Sequence, residues 1–202
     1  MKSLIYSAIT ILLLFGCTSS DKKSAFEGSV EKQVSTPVGT IPDESLYMLR
    51  DTFQTQNNRL VTLASFAGKP TVVGMIFTHC DYACPRLTAD IKTIQEKLKK
   101  DDGKINFLLV SFDTERDSPE QLKKFADTYN LDKNWTLLHG SEEAVRMLSV
   151  LLNVQFIKDA EGNFSHSNII SVLDKNGTLL YQKEGLEANN EVTINTIEGA
   201  IK

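Results

Sequence analysis

Two largely apolar runs near the centre of the sequence most constrain what the chain can fold into. Residues 71–77 read TVVGMIF and residues 105–112 read INFLLVSF. Strands buried on both faces carry such continuous, β-branched runs, whereas strands with one exposed face alternate apolar and polar residues. The two runs therefore predict central strands of a covered sheet.

Helical and strand patterns alternate around these runs. After Pro85, which suits a first helical position, leucine and isoleucine recur at helical spacing through residue 98. Ser118-Pro119-Glu120-Gln121 predicts a capping box that opens a second helix, extending through Tyr129. The other predicted elements are a short strand and turn within 59–70, a strand at 135–139, a helix at 142–152, a hairpin of strands 168–174 and 178–183, and a helix at 191–201.

This order of elements predicts the fold class. Buried strands that alternate with helices indicate an α/β domain, and the antiparallel hairpin makes its sheet mixed. Cys80 and Cys84 stand where the first central strand meets its helix, which resembles the thioredoxin layout. We therefore predict a thioredoxin-like fold over residues 45–202, with a central mixed β-sheet flanked by helices.

The N-terminal segment predicts export and lipid anchoring. Residues 1–16 carry Lys2 and a short apolar stretch, too short to span a bilayer about 30 Å thick. The stretch ends in Leu14-Phe15-Gly16-Cys17, which resembles a bacterial lipobox and implies a lipid on Cys17. Residues 17–44 read as the anchor and a flexible tether. We expect a domain in the cell envelope, held at a bacterial membrane and facing the periplasm or the extracytoplasmic side.

The charge balance argues against one class of partner. The chain has 22 basic and 26 acidic residues, a net charge of −4, and no dense basic stripe. Because nucleic-acid binding depends on neutralising phosphates, we expect no nucleic-acid partner.

The cysteine pair admits several chemistries. A helix N-terminus favours an anion, so we expect the thiolate form of Cys84 to be stabilised there. A spacing of four on one helical turn would place Cys80 and Cys84 within disulfide range. The same closeness suits two thiolates on one soft ion such as Cu(I). A purely structural disulfide is disfavoured, because a loop this short removes little unfolded-chain entropy.

The three histidines differ in context. His79 adjoins Cys80 and is predicted to point away, and His139 ends a predicted strand. His166 lies in a predicted loop before the strand at 168, at the sheet edge where thioredoxin-type folds build their sites. Thiol reductases of this fold carry a cis-proline in that loop, and this chain has none there. That absence favours a metal site.

Three segments, taken together and in order, resemble the Sco/SenC family of copper-delivery proteins. They are FTHCDYACPRL at 77–87, SFDTERDSPEQLKKFA at 111–126 and FSHSNIISVLDKNGTLL at 164–180. The resemblance implies that Cys80, Cys84 and His166 bind one copper ion, as Cu(I) or Cu(II), for assembly of the Cu(A) centre of cytochrome c oxidase. It also makes Asp113 a candidate for orienting a ligand, with turn-making as the alternative.

Partners follow from the same resemblance: a respiratory copper oxidase or another copper client, a copper donor, and a thiol reductase that keeps the redox-active pair Cys80 and Cys84 reduced. The chain departs from the family pattern at Asp81, Tyr82, Thr114 and Ser165. A thiol-disulfide oxidoreductase that uses the cysteines alone stays open as the alternative function. A peroxiredoxin-like peroxidase is disfavoured, because Phe77 stands where that chemistry needs threonine.

Overall fold

A computed structural model describes residues 44–186 and 189–202. The predicted signal peptide (1–16), the lipidated Cys17 and the tether up to residue 43 lie outside the described residues. Within the described ranges, no helix has both the length and the apolar character needed to cross a membrane.

A mixed seven-stranded sheet forms the centre of the fold, in the order β2-β1-β5-β4-β3-β8-β9. β3 pairs in parallel with β4, and β4 with β5, while the outer pairs are antiparallel. The strands are β1 Phe53–Thr55, β2 Leu60–Val61, β3 Thr71–Ile76, β4 Asn106–Ser111, β5 Trp135–His139, β8 Ile169–Leu173 and β9 Leu179–Glu184. Every residue of β3 is buried, as the unbroken apolar run predicted.

Among the described residues, four α-helices flank this sheet: α1 Ala83–Lys97, α2 Pro119–Thr128, α3 Glu142–Leu151 and α4 Glu191–Ile201. α1 packs against β3, β8 and α4, and α2 packs against β5. The buried positions of α1 include Leu87, Ile91 and Ile94, three of the residues that predicted the helix. This architecture confirms the predicted thioredoxin-like fold with a mixed sheet.

Helix starts differ in detail from the prediction. α1 begins at Ala83, two residues before Pro85, so Cys84 lies inside its first turn. The Ser118 side chain caps α2 by accepting from the N–H of Gln121. The Gln121 side chain does not complete a capping box, since the N–H of Ser118 donates to the carbonyl oxygen of Arg116 at 3.1 Å. The Gln121 amide donates to the Thr78 hydroxyl at 3.1 Å.

A second sheet, of two strands, was not predicted from the sequence. β6 (Phe156–Lys158) pairs antiparallel with β7 (Phe164–His166). His166 is therefore the last residue of a strand, not a loop residue, and it lies opposite Phe156. The chain then passes through Ser167 into β8. The hairpin thus carries His166 to the edge of the main sheet.

Candidate metal centre

The three predicted ligands come together at the junction of α1 and β7. One ligand atom each from Cys80, Cys84 and His166 lies within 4.8 Å of the others. The Cys84 Sγ and the His166 Nε2 are 3.6 Å apart. Cys84 is buried, while Cys80 and His166 are half-buried, so the cluster reaches the surface on one side.

This arrangement has the dimensions of a metal site. Thiolate sulfur and imidazole nitrogen bind zinc at about 2.0–2.3 Å, so neighbouring ligands around one ion of that size lie about 3.5–4 Å apart. The His166 Nδ1 is 3.1 Å from the carbonyl oxygen of Ser167 and donates to it. The lone pair is therefore on Nε2, which faces the sulfurs. Two sulfurs and one such nitrogen suit a copper or zinc ion.

Each sulfur accepts one backbone N–H. The N–H of Phe77 donates to the Cys84 Sγ, and the N–H of Cys84, in the first turn of α1, donates to the Cys80 Sγ, both at 3.3 Å. The helix N-terminus thus points at Cys80 rather than at Cys84. These bonds orient both sulfurs toward a common space.

The expected stabilisation of the Cys84 thiolate by its surroundings is wrong. Burial raises the pKa of the Cys84 thiol, and the Phe77 N–H opposes this only in part. The charges of Cys80 and Asp117 raise the pKa further. Burial lowers the pKa of His166, which keeps its ring neutral and able to bind a metal. A cation bound by the two sulfurs would favour their thiolate forms, because metal binding releases the thiol protons.

Aromatic rings surround the His166 imidazole. The ring centroid of Phe112 is 4.9 Å from that of His166, and the ring of Phe77 meets His166 edge-on at 6.1 Å. Phe164 packs on Phe77 and Phe112 at 5.1 and 5.0 Å. These contacts leave the imidazole little freedom to rotate.

The SCO1/SenC family profile matches residues 45–202. The chain belongs to this family. The match covers the whole predicted domain and contains all three residues of the cluster.

Solved structures of Sco proteins agree with this assignment. BsSco, described as a member of the Sco family of cytochrome c oxidase assembly proteins with a disulfide switch, is 31% identical, with a TM-score of 0.65 over 74% of this chain and 90% of that one. A SCO1/SenC family lipoprotein of Bacillus anthracis is 26% identical, with a TM-score of 0.69 over 75% and 92%. Bradyrhizobium japonicum ScoI with copper bound is 25% identical, with a TM-score of 0.64 over 74% and 96%.

In this SCO1/SenC domain the carboxylate of Asp117 holds the segment that leads to Cys80. It is fully buried and accepts from the N–H of Thr78 at 2.8 Å, the Thr78 hydroxyl at 2.6 Å and the Ser111 hydroxyl at 2.6 Å. Asp117 joins the end of β4 to the residues just before Cys80. The sequence analysis missed it, although it lies in the family-like segment 111–126.

Asp113 makes different contacts. Its carboxylate pairs with the Arg116 guanidinium and accepts from the Arg116 N–H, and its own N–H donates to Ser111. Among the described residues these hydrogen bonds favour the turn-making alternative for Asp113 over direct contact with a ligand.

The other histidines lie outside the cluster. His79 is half exposed, and its Nδ1 is 3.5 Å from Asp117 Oδ1 and 3.3 Å from the Thr78 hydroxyl. His79, Asp113 and Asp117 form a second group of close ligand atoms. Asp117 already accepts hydrogen bonds, and Asp113 already forms an ion pair with Arg116. We therefore assign a structural role to this group. His139 ends β5 and pairs with Gln54.

Proposed function

We propose that the chain binds one copper ion through Cys80, Cys84 and His166 and delivers it to a respiratory oxidase. The observation that carries the proposal is the meeting of two sulfurs with an imidazole Nε2 that faces them, from segments 82 residues apart. Membership of the SCO1/SenC family and the copper bound to the related ScoI support the choice of metal. BsSco is a member of the Sco family of cytochrome c oxidase assembly proteins, which supports cytochrome c oxidase as the client. We propose the Cu(A) centre of that oxidase as the recipient of the copper.

The ligand set suits transfer of a cargo ion. Sulfur favours Cu(I), and the imidazole also suits Cu(II). Three protein ligands leave a coordination position open, whereas a closed set of four keeps its metal. Half-exposed Cys80 lies at the solvent side of the cluster, where a ligand from a donor or a client could reach the ion.

The same sulfurs carry a redox dependence. A disulfide between Cys80 and Cys84 would remove two of the three ligands, so copper binding needs the reduced form. In an exported protein this requires a thiol reductase as a partner. The disulfide switch of the related BsSco supports this part of the proposal.

We place the domain at a bacterial membrane, facing the periplasm or the extracytoplasmic side. The lipobox-like residues 14–17 support a lipid on Cys17, and residues 17–44 supply a tether. The related Bacillus anthracis protein is a lipoprotein, which agrees with this placement.

A thiol-disulfide oxidoreductase is the second candidate. Its supporting observation is the half-exposed sulfur of Cys80 beside the buried Cys84, which is an arrangement open to thiol exchange. This function would use the cysteines and would not need His166.

The substitution His166→Ala separates the two functions. The reduced protein should lose at least about 100-fold in copper affinity, because loss of a ligand should cost no less than loss of an outer-shell partner. Its rate of disulfide exchange should change little. A competition titration with a coloured Cu(I) chelator measures the affinity, and His79→Ala is the matched control outside the cluster. Unchanged copper affinity in His166→Ala would exclude His166 as a ligand of the proposed site, and an unchanged exchange rate alongside it would favour the oxidoreductase.

A further inference from the structure

The hairpin that carries His166 is not hydrogen-bonded into the main sheet as a strand. β6 and β7 form a sheet of their own. The base of the hairpin is fixed by its direct connection to β8 and by the hydrogen bond from the Ser167 N–H to the Gln155 carbonyl oxygen. The position of its tip therefore depends on side-chain contacts, and the tip is joined to His166 by a short paired ladder.

The Arg116 side chain links that tip to the rest of the fold. The Arg116 guanidinium donates to the carbonyl oxygen of Gly162 in the hairpin turn, and it also pairs with the buried carboxylate of Asp113. Gly162 has a φ of +84°, a left-handed conformation that favours glycine. The guanidinium can hold both partners because its donors form a planar fork.

A second tether lies nearby but is more exposed. Lys158 of β6 pairs with Glu115 at 2.6 Å, and the Glu115 side chain is 75% exposed. Exposed pairs of this kind contribute about 0–1 kcal/mol. The Asp113 carboxylate, by contrast, is shielded from solvent, so its pair with Arg116 holds the guanidinium in place.

The same short loop also holds the other half of the centre. Asp117, next to Arg116, accepts from Thr78 in the segment that leads to Cys80. The loop between β4 and α2 thus contacts the cysteine segment through Asp117 and the histidine hairpin through Arg116.

We propose that Arg116 is a positioning residue for His166. By joining Asp113 to the carbonyl of Gly162, it fixes the hairpin so that the His166 Nε2 stays within bonding reach of an ion held by Cys80 and Cys84. The inference rests on the proposed function, since it concerns the third ligand of that site.

The test is a double-mutant cycle of Arg116→Gln with His166→Ala. Arg116→Gln alone should lower Cu(II) affinity about 10-fold, the lower end for loss of an outer partner of a ligand. It should also weaken the nitrogen coupling in the Cu(II) electron paramagnetic resonance spectrum. In the His166→Ala background the same substitution should lower Cu(II) affinity by less than about 2-fold, because the ligand that Arg116 positions is gone. Arg116→Lys should have an intermediate Cu(II) affinity. The lysine ammonium can still pair with the Asp113 carboxylate, but it lacks the planar set of donors that also reaches the Gly162 carbonyl.

Arg146→Gln is the matched control. The Arg146 guanidinium lies over the Phe156 ring of the same hairpin, at 5.2 Å, and pairs with exposed Glu142. Among the described residues it makes no hydrogen bond to the hairpin backbone. It should leave Cu(II) affinity and the spectrum unchanged. Wild-type affinity in Arg116→Gln, or an equal loss with and without His166, would overturn the inference while leaving the proposed site intact. An unaffected His166→Ala protein would instead overturn the proposed function, and the inference with it.

Discussion

Removal of the Asp117 carboxylate should be costly, because the group is fully buried and accepts three hydrogen bonds. In Asp117→Ala the N–H and hydroxyl of Thr78 and the hydroxyl of Ser111 lose an acceptor at 2.8, 2.6 and 2.6 Å. Hydrogen bonds to a charged group contribute about 1.5 kcal/mol or more each, and the hydroxyls can turn to other partners. We therefore expect a loss of about 3–5 kcal/mol in the free energy of unfolding, measured by urea denaturation of the reduced protein.

Two further substitutions make this prediction specific. Asp117→Asn keeps the shape and one acceptor oxygen, so it should cost only about 1–2 kcal/mol. Asp127→Ala removes an exposed carboxylate that pairs with Lys123, and it should change stability by about 0–1 kcal/mol. A loss below about 1 kcal/mol in Asp117→Ala would refute the reasoning, since it would mean that these bonds are replaced by others at no cost.

Three more outcomes follow from the structure and the sequence. Iodoacetamide should alkylate half-exposed Cys80 at least about 10-fold faster than Cys84 at pH 8, because burial shields the Cys84 sulfur and raises the pKa of its thiol. Peptide mass spectrometry measures the ratio of the two alkylation rates. Gly140→Ala should lower the free energy of unfolding by about 1–3 kcal/mol, because its methyl group would lie 2.7 Å from an aromatic ring carbon. Gly199→Ala adds a methyl group to open space in a helix, so it should raise the free energy of unfolding by up to about 1 kcal/mol. Urea denaturation measures both changes. Cys17→Ser should abolish metabolic labelling with palmitate and release the protein from membranes; labelling that persists would refute the anchor.

The regular elements could be predicted from the sequence wherever burial imposes a pattern over many residues. The strand at 71–77 and the helix at 191–201 are such cases, and both are present in the structure. β1, β6 and β7 were not predicted, because three-residue strands are too short to show a period. Their position is set by tertiary contacts, which leave little trace in the local sequence.

The residues of the candidate site could be named from the sequence, but their surroundings could not. The resemblance to the Sco/SenC family implied Cys80, Cys84 and His166 as ligands, and the structure brings these three residues together. The sequence could not distinguish Asp113 from Asp117, because both lie in one loop and only folding decides which carboxylate meets Thr78. It also could not reveal how deeply Cys84 is buried, and this burial reverses the expected effect of the helix N-terminus on its thiol.

On the proposed function, metal binding and disulfide formation place different demands on the same two sulfurs. Two sulfurs on one ion lie about 4 Å apart, whereas a disulfide brings them to about 2.05 Å. The Cys84 Sγ is buried and held by the Phe77 N–H, inside the first turn of α1. Cys80 precedes the helix and is half exposed. We therefore expect Cys80 to make most of the movement of about 2 Å between the two states, while Cys84 and His166 stay in place as the fixed part of the centre.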